Sequence, residues 1–447
     1  MTSHDSIHGL FPNDCVLMPL SSGALLVSRS HTLFCRIPKQ HVQDVTGAMN
    51  GSHPTSLPEA LVESLRKHGF GGPPRQAKPP SPSVQIQLTN ACNLACAYCC
   101  TNSGSARHGE VDRDTLMRVV DDVAAVHGPG TRVALLGGEP LLVPWAVDLA
   151  EHIVQHRLIL TVFTNGLLLK DETIASRLGA LCMKGAQVRV SLAGATAQVC
   201  DRVSGAPRFD SVVEGICTLA RFGPPPSIDL MLLPDQIDDA TEHLTELRRL
   251  LPPGTPIALG IPYLSGRERG AHLFASRAQL EQALDRIAFE AGETIAAPET
   301  SPLAERREGC SCALGHHLHV RSDGTLFTCF KMEERVGDLR TMTFAEGLHS
   351  LRASARPVGT LPLCKDCPLA TLCGGGCRSE NLQYTGDGDV PVCGPWRVQV
   401  ISEMLAEDRV TALEWPAPHL LAEAHARGIE GPAALQPVIP SRHLVDV

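Results

Sequence analysis

Three cysteines in one short stretch carry the clearest chemistry in the sequence. Cys92, Cys96 and Cys99 form a C-x3-C-x2-C pattern directly after the alternating apolar run at 84–88, which predicts a strand. Iron–sulfur cubanes normally take four cysteine thiolates, so a three-cysteine loop would leave one iron open to a small molecule. A zinc loop is the alternative, although structural zinc sites usually pair two C-x2-C knuckles and this loop contains one.

A second motif follows the next predicted strand. Gly137, Gly138, Glu139 and Pro140 combine two residues that allow close backbone approach with a carboxylate that can accept from an ammonium group. Together with the three-cysteine loop and Tyr98 before its third cysteine, this motif resembles the radical S-adenosylmethionine (SAM) superfamily. The resemblance implies a [4Fe–4S] cluster whose open iron chelates the methionine end of SAM, with the Gly-Gly-Glu-Pro motif binding the SAM amino group.

Polar residues end the third and fourth predicted strands and extend the expected SAM site. Thr164 and Asn165 precede a glycine in a familiar signature of the same superfamily, and Ser191 offers a hydroxyl partner for the SAM ribose. Ordinary turn chemistry at strand ends explains each of these residues equally well.

The segment after Ser191 departs from the superfamily pattern, in which S-L-D-G is often followed by H-D-x-x-R-G. Ala193 stands where Asp is usual, Cys200 replaces the His, and Ser204 replaces the Arg. Polar contacts that relatives make there cannot be carried over, although Arg202 lies close enough in sequence to replace the missing arginine.

A second group of cysteines is concentrated after residue 300. Its order, a G-x4-C segment at 324–329 and then C-x2-C-x5-C-x3-C, resembles the SPASM extension of radical SAM enzymes. Eight reduced cysteines make two four-cysteine sites, and a zinc ribbon over 364–377 is the alternative. By the resemblance, the first auxiliary [4Fe–4S] cluster uses Cys312, Cys329 and Cys377, with Cys310 as the candidate fourth ligand. The second auxiliary [4Fe–4S] cluster uses Cys364, Cys367, Cys373 and Cys393.

Composition excludes several classes of function. The net charge of −9 does not support nucleic-acid binding, which usually needs a basic surplus. No apolar span is long enough to cross a membrane, and the N-terminus lacks the pattern of a signal peptide, so we expect a cytoplasmic protein. Because thiols stay reduced in that compartment, the 17 cysteines favour metal or cluster ligation over disulfides.

Strands and helices alternate from residue 84 to about 300, which predicts a parallel α/β fold. The strand candidates are 84–89, 132–137, 158–164, 187–193, 227–233 and 256–262. The helical patterns are 112–127, 144–156, 170–183, 209–222, 237–250 and 277–292. Six such units match the partial (β/α)6 barrel of the radical SAM superfamily, whose chemistry lies at the C-terminal strand ends. The remaining predicted domains are a SPASM domain at 301–396 and a C-terminal helix and tail at 397–447.

Residues 1–70 read as a small α+β domain, followed by a Pro-rich linker at 71–83. Predicted strands at 16–20, 24–28 and 32–37 precede helical patterns at 40–49 and 57–68. This order resembles the winged-helix-like peptide-recognition domain of enzymes that modify ribosomally made peptides, which binds a leader segment as an added strand. A cap that packs on the barrel and binds nothing is the alternative.

These resemblances predict a maturase of a ribosomally made peptide. It would cleave SAM to a 5′-deoxyadenosyl radical and abstract hydrogen from a leader-bearing peptide, giving a crosslink or an oxidised side chain. An electron donor such as flavodoxin or ferredoxin is implied. An anaerobic sulfatase maturase that forms formylglycine is the alternative, but such relatives tend to carry Asp after the G-x4-C cysteine, where this chain has Phe330. A non-catalytic cluster protein is disfavoured because the open-site loop and residues 137–140 are both retained.

Overall fold

The computed structural model describes residues 9–20, 23–28, 31, 33–51, 57–73, 81–260, 266–267, 315–332, 334–365, 367 and 369–391. The chain divides into two compact units. The first unit comprises Met1–Pro80, Ala297–Ala313 and Arg356–Pro440, and the second comprises Ser81–Ala296, Leu314–Ala355 and Ser441–Val447. Three of the predicted cluster ligands, the helical pattern at 277–292 and the tail at 397–447 lie outside the described residues; those ligands are Cys310, Cys312 and Cys393.

The first unit opens with three antiparallel strands and two helices. The strands, which pair in the order β1-β2-β3, are β1 (Cys15–Leu20), β2 (Gly23–Ser28) and β3 (Leu33–Pro38). The helices are α1 (Val42–Met49) and α2 (Glu59–Lys67). Strands and helices share one core, whose most buried members include Leu26, Ile37, Val45, Leu65 and Phe70. The order of elements is the one that the sequence predicts, and the winged-helix assignment stays a prediction.

The second unit is a parallel α/β fold, as predicted. Its consecutive parallel strands are β4 (Ser83–Gln87), β5 (Arg132–Leu136), β6 (Ile159–Thr164), β7 (Gln187–Leu192), β8 (Ser227–Met231) and β9 (Ile257–Gly260). The helices between them are α3 (Arg113–His127), α4 (Ala146–Gln155), α5 (Glu172–Cys182), α6 (Ala197–Ser204), α7 (Phe209–Ala220) and α8 (Ile237–Leu250). Helix α6 was not predicted from the sequence.

The sheet continues beyond the predicted end of the barrel. Strands β10 (His317–Val320), β11 (Thr325–Phe327) and β12 (Arg335–Asp338) precede helix α9 (Phe344–Ser354). Strand β10 pairs in parallel with β4, so the order of the nine strands is β12-β11-β10-β4-β5-β6-β7-β8-β9. Residues 317–338 therefore extend the sheet beyond residue 300, and the predicted domain bounds stay a prediction.

The two faces of this sheet differ in polarity because successive strand residues point to opposite sides. One face is apolar and at most 3% exposed, and includes Val84, Ile86, Val133, Leu135, Leu160, Val162, Val188, Val190, Ile228 and Leu230. A Cβ atom at Gly166 would meet both Val190 Cγ1 and Val212 Cγ1 of α7, at 2.8 and 3.0 Å, so helix α7 lies on that face. The opposite face carries polar residues, among them the ion pair between Arg189 and Asp229.

Among the described residues, no helix combines the length and the apolarity needed to cross a bilayer.

Candidate cluster and cofactor site

The cluster loop, residues 89–110, leaves the C-terminal end of β4 and is closed by one carboxylate. Glu110 accepts hydrogen bonds from Thr89 Oγ1 at 2.8 Å, from the Asn90 amide at 2.7 Å and from the Arg107 amide at 2.9 Å. Burial raises the pKa of Glu110, but these hydrogen bonds outweigh it and leave the pKa below its ordinary value. Sequence reasoning missed Glu110 because a carboxylate so far from the strand end forms no recognisable motif.

The three motif cysteines of this loop, Cys92, Cys96 and Cys99, differ in how readily they lose a proton. Burial raises the pKa of Cys92 and of Cys96. Burial also raises the pKa of Cys99, but hydrogen bonds from Thr101 and Ser103 more than compensate, so its pKa lies below the ordinary value. Three thiols on one closed loop form a donor set that fits the three-cysteine side of a cubane cluster.

Gly266 and Arg267, which follow β9 in the chain, lie against the cluster loop. The guanidinium of Arg267 donates to the carbonyls of Cys96, at 2.7 Å, and Ser103, and its amide donates to the Cys99 carbonyl at 3.0 Å. A Cβ atom at Gly266 would lie 2.0 Å from the Cys99 oxygen, and its φ of +97° is in the left-handed region, so only glycine fits there. This pair links the two sides of the loop and was not singled out by the sequence.

The two glycines after β5 pack against the same loop. A Cβ atom would lie 2.8 Å from the Thr89 oxygen at Gly137 and 2.2 Å from the Ala91 oxygen at Gly138. The Gly138 amide donates to the Thr89 carbonyl at 2.8 Å, and Pro140 begins a short 3-10 helix. The close approach that the sequence predicts is present, but its partner is the backbone of the cluster loop.

Glu139 is completely buried and binds the chain itself. Its carboxylate accepts from the Leu141 amide at 3.1 Å, from Thr164 Oγ1 at 2.8 Å and from the Asn165 amide at 2.7 Å. Burial raises its pKa to about 7 in spite of these hydrogen bonds. Glu139 therefore ties the end of β5 to the end of β6. Its expected contact with the SAM ammonium stays a prediction.

Arg208 brings a buried positive charge to the ends of β6 and β7. It is 2% exposed, and it donates from Nε to Ser204 Oγ at 2.6 Å, from Nη1 to the Asn165 carbonyl at 3.1 Å and from Nη2 to the Ser191 carbonyl at 3.2 Å. One N–H on each terminal nitrogen is left over by these bonds. Arg202, which the sequence offered as the replacement for the missing arginine, is exposed, and the small Ser204 side chain binds Arg208 instead.

The cluster loop also lies beside the segment that contains Cys329. Burial raises the pKa of the neighbouring Cys100 to about 12, and the charges of Lys331 and Cys329 act on it with opposite signs. Burial likewise raises the pKa of Tyr98. Within the second unit, a predicted ligand of the first auxiliary cluster is thus close enough to influence the three-cysteine loop electrostatically.

Four cysteines of the second group, Cys364, Cys367, Cys373 and Cys377, belong to the first unit, where helices α10 (Ala370–Cys373) and α11 (Arg378–Thr385) lie. Cys364 and Cys367 belong to a small apolar cluster with Val358, Leu361 and Ala370, and Cys377 is also buried. Three successive glycines at 374–376 all have φ between +67° and +78°, a conformation that favours glycine. The Cys373 backbone ends α10.

Comparison with known proteins finds similarity over the parallel α/β fold. The model of the Radical SAM superfamily matches residues 86–247. The mycofactocin maturase MftC of Mycobacterium ulcerans is 32% identical over 169 residues, which are 38% of this chain and 42% of MftC. The PqqA peptide cyclase of Ruegeria pomeroyi is 29% identical over 358 residues, covering 72% of this chain and 90% of the cyclase. The chain thus spans about two fifths of the length of the mycofactocin maturase that it matches.

Solved structures share the fold at low sequence identity. The structure titled native anSMEcpe with bound AdoMet has a TM-score of 0.53 at 19% identity, covering 77% of this chain and 99% of that one. Streptococcus suis SuiB bound to S-adenosylmethionine has a TM-score of 0.52 at 12% identity, covering 85% of this chain and 97% of SuiB. SuiB has also been solved with its precursor peptide SuiA.

Proposed function

Because residues 86–247 match the model of the radical SAM superfamily, we propose that this protein is a radical SAM maturase that oxidises or crosslinks a ribosomally made peptide. The observation that carries the proposal is the cluster loop itself: three cysteines on one closed loop, with the ends of β5 and β6 bound to it and a buried arginine at the ends of β6 and β7. The mycofactocin maturase and the PqqA peptide cyclase add the peptide as substrate class.

We assign a [4Fe–4S] cluster to Cys92, Cys96 and Cys99, with SAM on its open iron. When bound, this pair supplies one-electron cleavage of SAM to a 5′-deoxyadenosyl radical that abstracts a substrate hydrogen atom. Glu139 holds the ends of β5 and β6 in place, with Thr164 and Asn165 as its partners. Arg267 and Glu110 keep the loop closed, so that the chain's own groups set the positions of the thiolates.

Arg208 is the residue that we assign to the carboxylate of SAM. It is a buried cation, and among the described residues no carboxylate lies within ion-pair distance of it. A buried charge without an opposite charge is costly, and its two remaining N–H groups suit a carboxylate ligand. The Ser191 carbonyl accepts a hydrogen bond from Arg208. We propose the Ser191 hydroxyl as a partner of the SAM ribose, as the sequence predicts.

The remaining cysteines extend the proposal to electron transfer. We propose that residues 301–396 form a SPASM domain with two auxiliary [4Fe–4S] clusters, because the cysteine spacing supports it. Two clusters suit a reaction in which the substrate radical gives up an electron, and an external donor such as flavodoxin or ferredoxin would supply the first electron.

The small sheet of the first unit is our proposed leader-binding site. Strands β1 and β3 are the edges of this three-stranded sheet, and a sheet edge can accept a peptide as an added strand. Slower amide exchange in β1 or β3 upon addition of the leader would support this role, and unchanged exchange in both edges would leave only a capping role.

The formylglycine alternative is weaker, since Cys329 is followed by Phe330 and Lys331 and no carboxylate stands at the expected position. The proposed function is tested by co-expression with any short peptide encoded beside the gene, followed by mass spectrometry. We expect a loss of two hydrogens per modification, together with 5′-deoxyadenosine from the anaerobic enzyme. An unmodified peptide alongside active SAM cleavage would refute the peptide assignment.

A further inference from the structure

A histidine pair and an aspartate converge on the outer surface of the second unit, away from the cluster loop in sequence. His152 and His156 lie four residues apart at the C-terminal end of α4, so their side chains share one helix face. Asp121 of α3 faces them: its Oδ1 lies 2.7 Å from His152 Nε2 and 3.0 Å from His156 Nε2. The two imidazole rings pack edge to face, with centroids 4.7 Å apart.

The three donor atoms all lie within 4.8 Å of one another. A neutral imidazole can present its Nε2 lone pair once its proton is on Nδ1, and the carboxylate adds the negative charge. Zinc binds histidine nitrogens and carboxylate oxygens at about 2.0–2.2 Å, so a metal fits among these atoms after small side-chain movements. All three side chains are reachable from solvent, with side-chain exposures of 51% for Asp121, 26% for His152 and 35% for His156.

The seam between α3 and α4 already aligns opposite charges. One turn before His152, Asp148 of α4 lies 3.9 Å from Arg113 of α3. Asp148 also accepts a hydrogen bond from Arg177 of α5 at 2.7 Å. Arg113 and Arg177 together balance the charges of Asp148 and Glu151 at the earlier turn, since Arg177 also binds Glu151. The described partners of Asp121 are two histidines. The seam therefore has a charge-balanced group at one turn and, at the next, two nitrogen donors and one oxygen donor that lie within 4.8 Å of one another.

We propose that Asp121, His152 and His156 form a binding site for a divalent cation of the zinc class, which would tie α3 to α4 on the outside of the barrel. Two imidazoles and one carboxylate suit zinc, copper or nickel, whereas calcium and magnesium prefer oxygen donors only. Three protein ligands leave a further coordination position for water or for a group from another molecule. This site is independent of the proposed radical chemistry.

The test uses the full chain with its iron–sulfur clusters and Zn²⁺ alone as the probe. Zinc affinity is measured by competition with a chromophoric chelator under anaerobic conditions, with iron analysis to verify that the clusters stay intact. We expect His156→Gln and His152→Gln each to lower the affinity for one zinc ion by more than about tenfold. Even the loss of a residue that only supports a ligand lowers metal affinity by that factor. The matched control is His349→Gln, an exposed helical histidine of the same unit, which should bind zinc like the parent protein.

Two results would overturn the site. One is equal zinc affinity in the parent protein and in both histidine variants. The other is an anomalous-scattering map of zinc-soaked crystals without a peak between Asp121 and the two imidazoles. The crystal experiment needs no variant, so it decides the question even if a substitution disturbs folding. A failure of peptide modification would leave both results unaffected, so the two proposals fail separately.

Discussion

The two groups of cysteines are held by different physical means. The cluster loop is closed by hydrogen bonds to ionised groups, Glu110 and Arg267, and Glu139 binds the strand ends beside it. The cysteines of the second group that lie at 364–377 rest on a small apolar cluster of Val358, Leu361, Cys364 and Ala370, and an ion pair, Arg378 with Asp389, follows them. Hydrogen bonds to charged groups contribute about 1.5–3 kcal/mol each in both places, but those of the cluster loop stand on the large apolar core of the sheet, whereas the described part of 358–391 has a small apolar cluster beneath it. We therefore expect the cluster loop to keep its fold without iron, and the segment 358–391 to depend more strongly on the clusters that we propose for it.

Removal of iron should expose this difference most strongly. After anaerobic chelation, we expect amide protection over 358–391 to fall by more than about a hundredfold, because metal binding supplies much of the folding free energy of such small segments. Protection over 89–110 and in strands β4–β8 should fall by less than about tenfold, because their hydrogen bonds remain. Hydrogen–deuterium exchange with mass spectrometry measures both segments in one sample. Equal losses in the two segments would show that the cluster loop also depends on iron.

A substitution of Arg208 tests the cluster-loop side of this comparison. Arg208→Gln removes the buried charge, and we expect SAM affinity to fall about ten- to a hundredfold, as the loss of a charge-assisted hydrogen bond implies. Calorimetry on the cluster-loaded protein measures this change. Arg202→Gln, which removes an exposed arginine from the adjacent helix, is the matched control and should bind SAM normally. Normal SAM affinity in Arg208→Gln would give Arg208 a purely structural role.

Glu139 should produce the smallest and most specific effect, a change in the pH dependence of stability. Burial raises its pKa from 4.5 to about 7, so the folded state binds this proton more tightly than the unfolded state. Its contribution is therefore fully present below pH 4.5 and is lost as the pH rises through about 7. Glu139→Gln should flatten that dependence and cost about 1–3 kcal/mol, because the Asn165 amide loses its acceptor.

Denaturant titrations at several pH values measure the Glu139 effect. The matched control is Glu172→Gln, which removes an exposed glutamate paired with Arg221 on the surface of the same unit. This control should keep the slope of the parent protein. A parent-like slope in Glu139→Gln would mean that another group titrates in this range.

Periodicity predicted the barrel well because each strand and helix carries its own local pattern. Helix α8, for example, spans the predicted 237–250, since its apolar residues repeat with helical spacing. Helix α6 was missed because it has only eight residues, half of them polar. Strand β10 was assigned elsewhere because it pairs with a strand more than 200 residues away. Pairing at that distance leaves no trace in local sequence.

The sequence predicted the site residues that belong to a recognisable motif. It did not predict those whose position depends on tertiary packing. The cysteines, Gly137 and Gly138 were singled out in advance, but their packing partners were not. The superfamily pattern has an arginine where this chain has Ser204. The guanidinium of Arg208 lies beside that position instead, because the small serine side chain leaves room for it. Glu110 and Arg267 close the loop from positions that no spacing rule connects to it.

The central claim is that Cys92, Cys96 and Cys99 hold the cluster that cleaves SAM. The most direct measurement is 5′-deoxyadenosine formation by the anaerobically reconstituted variant in which all three are alanine, with iron counted in the same sample. Three clusters correspond to about twelve irons per chain, and we expect the variant to lose about four of them together with all SAM cleavage. A variant that replaces Cys182 and Cys217, which lie outside every motif, should retain both. Continued SAM cleavage by the triple variant would contradict the assignment.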